Sequence, residues 1–213
     1  MKYYQEIRLL PNAKNNLGLL WQKVYQQIHI ALVGNKIGEN QSAIGISIPG
    51  YFVPEVASKG FPLGDKIRFF AYTEEELEAL NITKWLSNLE DYAQIKTVKP
   101  VPEHSQYACF TRKQIKGEKR IVEKARKMAE FKARETGEPV KEWLRKYRQE
   151  SAKLSSSLPF IQVSRSNSEQ HAGKYSFKLF IEMEILETSL SGQFNCYGLS
   201  HRLSELKMTV PWF

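Results

Sequence analysis

Four histidines, His29, His104, His171 and His201, are the side chains of this 213-residue chain that exchange protons near neutral pH, and they are scattered along it. No HxxxH or CxxC occurs, Cys109 and Cys196 stand far apart, and no tight carboxylate cluster suggests a two-metal site. Metal-assisted cleavage is therefore set aside, and no cofactor is expected. A metal-free reaction on RNA stays open, because the 2′-hydroxyl brings its own nucleophile to the neighbouring phosphate. That reaction needs a base, a geometry that aligns the attack, and assistance for charge on the leaving oxygen. His29, in the stretch QQIHIALV, is the candidate base. On a helical wheel Leu17, Leu20, Trp21, Val24, Ile28, Ala31 and Leu32 form an apolar stripe, and His29 falls roughly 110 to 120° from its centre, beside Tyr25. A histidine on that flank can reach the mouth of a cleft with a pKa near neutrality. The other reading is a boundary histidine with no role.

The elements that must position such a group alternate in a recognisable order. Tyr3, Gln5, Ile7 and Leu9 face one way in a strand ended by Pro11, and Asn15 or Asn16 caps a helix to about Val33, stopped by Gly34 and Asn35. Ile44, Ile46 and Ile48 mark a second strand, and Ile67, Phe69 and Ala71 a third. Thr73 and Glu76 make a capping box for one helix carrying Leu77, Leu80, Trp85, Leu86 and Leu89, and a strand through Ile95 and Val98 follows before Pro100 and Pro102. The order is βαββαβ, a ferredoxin-like split βαβ unit. The expected fold is α+β, with this domain over residues 1–100 and a C-terminal α/β domain over 101–213.

The second half is read as a strand through YACFT to Arg112, a basic helix over about 116–135, a further helix from Glu138-Pro139 through Trp143, Leu144 and Tyr147, strand patterns at 160–166, 175–184 and near 194–198, and an extended VPWF tail. The chain carries a formal net charge of +8 with a pI near 9.3. Between Arg112 and Lys153 fifteen Lys and Arg face seven Glu, so this segment alone accounts for a net +8. Lys116, Arg120, Lys124, Lys127 and Arg134 share one side of the basic helix, with Arg126 beside them, while Ile121, Val122, Ala125, Met128 and Ala129 would anchor the other side to protein. Positive charges along a rigid rod release counterions from successive phosphates, so a nucleic acid is the expected partner. A solvated face, neutralised by Glu118, Glu123 and Glu130, is the competing reading. The strand KIRFFAYT lacks the Gly-aromatic pattern of a single-strand stacking platform. The N-terminus, MKYYQEIRLL, resembles no secretory signal, and no run approaches the ~18 apolar residues of a membrane span, so a cytoplasmic location without membrane attachment is expected.

The segments YYQEIRLLP, IHIALV, IGISIP, LGDKIRFFA, FTRKQ, PFIQVSRSNS, FKLFI, FNCYGLS and a terminal VPWF, in this order and spacing, resemble the CRISPR-associated repeat-cleaving endoribonuclease of subtype I-F. The resemblance implies an enzyme that recognises the repeat hairpin of precursor crRNA and cuts at the 3′ base of its stem without metal. It implies a 2′,3′-cyclic phosphate and a 5′-hydroxyl as products, and an enzyme that stays bound as a subunit of the type I-F surveillance complex. It assigns His29 as the base acting on the 2′-hydroxyl, Ser166 as the group that holds the upstream ribose, and Tyr197 as the group that positions the histidine or the scissile region. Ser168 is the second serine of that stretch. This chain has one residue more between PF and RSNS than the family pattern, which makes Ser164 a competitor to Ser166. Arg112 and Gln114 fall where the family reads base edges low in the stem, chemistry that suits guanine O6 and N7 and adenine N6 and N7 respectively. Phe177 matches the aromatic that stacks on the terminal base pair. The basic helix, with Lys116, Arg120, Lys124, Arg126 and Lys127, would enter the groove where a short hairpin opens it. A non-catalytic hairpin-binding subunit of the same complex is the alternative function.

Overall fold

The computed structural model describes residues 1–55, 59–103, 106–114, 118–156, 158–164 and 176–213, with side chains in 118–121 and 150–156 set apart from the description. The fold mixes helices with two antiparallel sheets. Strand β1 (Tyr3–Leu9) leads to helix α1 (Leu17–Gly34), then β2 (Gly45–Ser47), β3 (Lys66–Ala71), α2 (Glu74–Leu80), α3 (Ile82–Trp85), β4 (Ala93–Ile95) and β5 (Lys99–Pro100). The first sheet runs β2-β3-β1-β4, with β5 also pairing with β1, and all its pairings are antiparallel. After β6 (Gln106–Lys113) come α4 (Glu118–Thr136), α5 (Val140–Ser156), β7 (Phe160–Ser164), β8 (Ser176–Leu186) and β9 (Val210–Trp212). The second sheet runs β7-β8-β6-β9, again antiparallel throughout.

Local sequence accounts for most boundaries. Asn16 caps α1 by accepting a hydrogen bond from the Leu19 N–H at 3.0 Å, and Asn35 ends it. Thr73 and Glu76 form the expected reciprocal box at α2. The single helix expected to run on to Leu89 is instead broken at Asn81, whose φ of +45° is left-handed, so the chain restarts as α3 and ends in a 3-10 turn at Ser87–Leu89. Asparagine tolerates that conformation better than other non-glycine residues, and the break keeps both Leu77 and Leu80 of one segment and Ile82 and Leu86 of the next buried. The strand expected near 194–198 is also corrected: only isolated bridges flank a turn there. The Asn195 side chain accepts the N–H groups of Tyr197 (2.9 Å) and Leu199 (3.4 Å), which satisfies the backbone locally and removes it from any ladder.

One buried cluster joins the two sheets. The α1 stripe, Leu20, Trp21, Val24, Tyr25, Ile28, Ala31 and Leu32, packs with Ile7, Leu9, Ile67 and Phe69 of the first sheet and with Ile161, Val163, Leu179 and Ile181 of the second. The Ile46 N–H donates to the Gly198 carbonyl at 2.8 Å, and the Tyr51 hydroxyl to the Ile181 carbonyl at 2.8 Å, so polar bonds also span the join.

The other face of β1 is covered at Glu6, although Arg8 further along it is exposed. Glu6 is buried, and its carboxylate accepts from Arg68 at 2.8 Å and Lys96 at 2.6 Å. The Arg68 guanidinium carbon in turn lies 4.3 Å from the centre of the Phe213 ring, so the VPWF tail closes on the first sheet. Burial pushes the Glu6 pKa up, but the hydrogen bonds and charges of Lys96 and Arg68 outweigh it and bring the group below the ordinary carboxylate value. Replacing Glu6 with alanine is expected to cost about 3 kcal/mol at pH 7, because the mostly buried Arg68 guanidinium loses its carboxylate. A depressed folded pKa contributes stability above the unfolded value that is lost as pH falls through the folded one. The gap between wild type and Glu6→Ala in urea melts should therefore narrow below about pH 4.5.

Candidate active site

The α1 helix presents Tyr25 and His29, one turn apart, to the 195–198 turn. Burial pushes the Tyr25 phenol far above its ordinary pKa, so it stays protonated and donates to the Tyr197 carbonyl at 2.7 Å. His29 Nδ1 lies 2.9 Å from the Cys196 carbonyl oxygen. A carbonyl can only accept, so Nδ1 carries the proton and the neutral ring keeps its lone pair on Nε2. Among the described residues Nε2 has no protein partner. Burial holds the His29 pKa below the ordinary imidazole value, while the bond to Cys196 acts in the opposite direction. The net result is a half-buried imidazole that is neutral at pH 7 and has the tautomer of a base. The expectation of a histidine near neutrality is thereby moved to the acidic side.

The imidazole stacks on Tyr197, with ring centres 4.2 Å apart and planes 5° from parallel. Tyr197 meets Phe177 edge-on at 6.4 Å, and the guanidinium of Arg112, on β6, lies 5.1 Å from the Phe177 ring centre and 5.4 Å from that of Tyr197. His29, Tyr197, Arg112 and Phe177, drawn from four separate parts of the chain, therefore form one continuous cluster. Gln114 is exposed just past the end of β6. Ser166 and Ser168 lie outside the described residues, and so does Lys116. Ser164 closes β7, and its N–H donates to the Gln26 side-chain oxygen of α1 at 3.0 Å. The roles of Cys196, Tyr25 and Asn195 in holding the site escaped the sequence reading. The Asn-x-x-Gly spacing of Asn195 and Gly198 was the available signal, since it marks a turn.

The basic segment forms a helical hairpin in which α4 packs against α5. Ala125 and Ala129 are buried in the contact as expected, but Met128 is 41% exposed, so the anchoring stripe is narrower than the periodicity suggested. Arg120 lies in the first turns of α4. On its exposed face Arg126 pairs with Glu130 at 2.9 Å and Lys127 with Glu123 at 3.5 Å, while Lys124 and Arg134 have no ion-pair partner among the described residues. Such exposed pairs are worth less than about 1 kcal/mol, so a phosphate can displace the glutamates at little cost. Lys141, Arg145 and Arg148 form a second exposed stripe along α5, at i, i+4 and i+7, that the sequence reading passed over.

Among the described residues no group of three or more His, Cys, Asp and Glu is arranged as metal ligands would be, and no helix is long and apolar enough to cross a membrane. Residues 4–213 match the family described as CRISPR-associated protein (Cas_Csy4). The chain belongs to that family, as the motifs from YYQEIRLLP to VPWF indicated. It is 29% identical, over 215 residues and the full length of both chains, to a protein of Escherichia coli (strain UTI89 / UPEC) named CRISPR-associated endonuclease Cas6/Csy4. Among solved structures it is similar to one titled "An RAMP protein binding different RNA substrates", with 9% identity, a TM-score of 0.36 and coverage of 99% of this chain and 100% of the other. Another, titled "CRISPR associated protein Cas6", has 11% identity, a TM-score of 0.33 and coverage of 100% and 99%.

Proposed function

We propose that this protein is a metal-independent endoribonuclease that binds the CRISPR repeat hairpin of precursor crRNA, cuts at the 3′ base of the stem, and stays on its product as a subunit of the type I-F surveillance complex. The observation that carries the reading is the His29 ring, fixed by the Cys196 carbonyl and stacked on Tyr197 so that a neutral imidazole keeps Nε2 available. Nε2 takes the proton of the 2′-hydroxyl, and the 2′-oxygen attacks the adjacent phosphorus. The bond from phosphorus to the 5′-oxygen breaks, that oxygen takes up a proton, and a 2′,3′-cyclic phosphate and a 5′-hydroxyl remain. Tyr197 orients the imidazole, and Ser166 holds the upstream ribose so that attack is in line, with Ser164 the competing register.

Recognition is assigned to the second half of the chain. Arg112 reads a guanine edge and Gln114 an adenine edge at the base of the stem, Phe177 caps the last base pair, and Lys116, Arg120, Lys124, Arg126 and Lys127 line the groove with Ser168 near the cut. Residues 1–100 are read as a ferredoxin-like domain, a reading supported by the all-antiparallel strand order β2-β3-β1-β4. Residues 101–213 are read as the hairpin-binding domain.

The test is incubation of the protein with its own repeat RNA in excess EDTA, beside the same RNA carrying a 2′-deoxy sugar just upstream of the cut. Cleavage of the ribose substrate to a cyclic-phosphate product, with the deoxy substrate bound but intact, is the expected result. Tight binding with no cleavage of either RNA would instead identify a non-catalytic hairpin-binding subunit.

A further inference from the structure

A cleft of about 330 Å³ opens between α1, the segment around Trp85 and Asn88, and the end of β7. Its lining is unusual in chemistry: the amides of Gln22, Gln26, Gln27 and Asn88 converge with the Trp85 indole and Ser164. The Ser164 N–H fixes the Gln26 oxygen as an acceptor, so the Gln26 amide presents its NH₂ as the free end. Gln22, Gln27 and Asn88 have no protein partner among the described residues. Amides that offer paired donors and acceptors beside a flat aromatic wall suit the edge and face of a nucleobase.

The placement relative to His29 narrows the ligand. Gln22, Gln26 and His29 follow i, i+4 and i+7 and share one stripe of α1, with His29 about 4.5 Å along the axis from Gln26. Around the helix Tyr25 stands about 40° to one side of His29 and Gln26 about 60° to the other. Tyr25 faces the turn that holds Tyr197, whose ring meets Arg112 of β6 and Phe177 of β8, so the cleft lies across His29 from the aromatic and arginine cluster. A strand that leaves a duplex end at Phe177 and passes over His29 arrives in this cleft.

We infer that the cleft is a binding site for the base of the first nucleotide downstream of the scissile phosphate, held by Gln22, Gln26 and Asn88 against Trp85. This rests on the nuclease reading above and adds a contact to the departing strand, which stretches the RNA across the imidazole. Two substrates separate the possibilities: the repeat RNA, and the same RNA with an abasic sugar at the first downstream position. Both are cleaved under single-turnover conditions with enzyme below saturation, by wild type and by a Gln22→Ala, Asn88→Ala double variant. Wild type should cut the abasic RNA about tenfold more slowly than the natural one. The double variant should cut the natural RNA about tenfold more slowly and the abasic RNA no more slowly still, with unchanged affinity for the hairpin that ends at the cut. Equal wild-type rates on the two RNAs would overturn the inference, as would losses that multiply when the variant meets the abasic RNA. Failure of wild type to cut even the natural RNA overturns the nuclease reading instead, so the two failures are distinguishable.

Discussion

Replacing His29 with alanine is expected to lower the single-turnover cleavage rate by about a hundredfold to ten-thousandfold, the range that a positioned general base supplies. Hairpin affinity should stay within about twofold, because Arg112, Phe177 and the α4 cations are untouched. The same assignment sets the pH profile. His29 must be neutral to accept the 2′-proton, and burial lowers its pKa. The wild-type rate should therefore be flat around pH 7 and fall with unit slope as pH drops through a value below the ordinary imidazole pKa of about 6.5. An acid limb centred above pH 7, or a His29→Ala enzyme that cuts at the wild-type rate, contradicts the assignment. Measurement of product formation across pH 5 to 8 in EDTA, alongside binding at each end of the range, separates loss of base from loss of substrate.

The second large effect is expected at Gly198. Its φ is +70°, and an added Cβ would come within 2.5 Å of the Ile46 Cγ1 in the core. The left-handed backbone costs roughly 1–2 kcal/mol for a residue with a side chain, and the overlap adds roughly 1–3. Gly198→Ala should thus destabilise by about 3 kcal/mol and lower Tm by about 6–12 °C for a chain of this size. The chemistry should suffer beyond the stability loss, because the displaced turn carries both the Cys196 carbonyl that sets the His29 tautomer and the Tyr197 ring beneath it. Gly60→Ala is the control: its φ is also positive, at +101°, but nothing lies within 4 Å of the new Cβ. That variant should lose only the backbone contribution, about 1 kcal/mol, and cut at the wild-type rate. Equal effects of the two substitutions on cleavage would remove the turn from the site.

These expectations depend on what could be read from sequence and what could not. Periodicity and capping are local, so α1, the Thr73 box and the two helices α4 and α5 were legible, as was the concentration of charge between Arg112 and Lys153, whereas the packing of α4 on α5 was not. The flank position of His29 was legible for the same reason. Asn81 and the 195–198 turn were misread because a single left-handed residue or an Asx side chain can end an element that its apolar pattern would continue. The burial of Glu6 was not legible because alternation assigns one face of a strand to water, whereas Arg68, Lys96 and Phe213 reach that face from distant parts of the chain.

By itself the sequence determined most of the strands and helices, the basic segment and the family, because each rests on local pattern or on motifs in a set order. It left His29 open between a base and an idle boundary residue. Only the tertiary structure brought the Cys196 carbonyl, 167 residues away, to Nδ1 and laid the Tyr197 ring on the imidazole. The tautomer and the lowered pKa follow from that packing. The lowered pKa arises from burial and the tautomer from a single hydrogen bond, both between segments whose proximity no periodicity encodes.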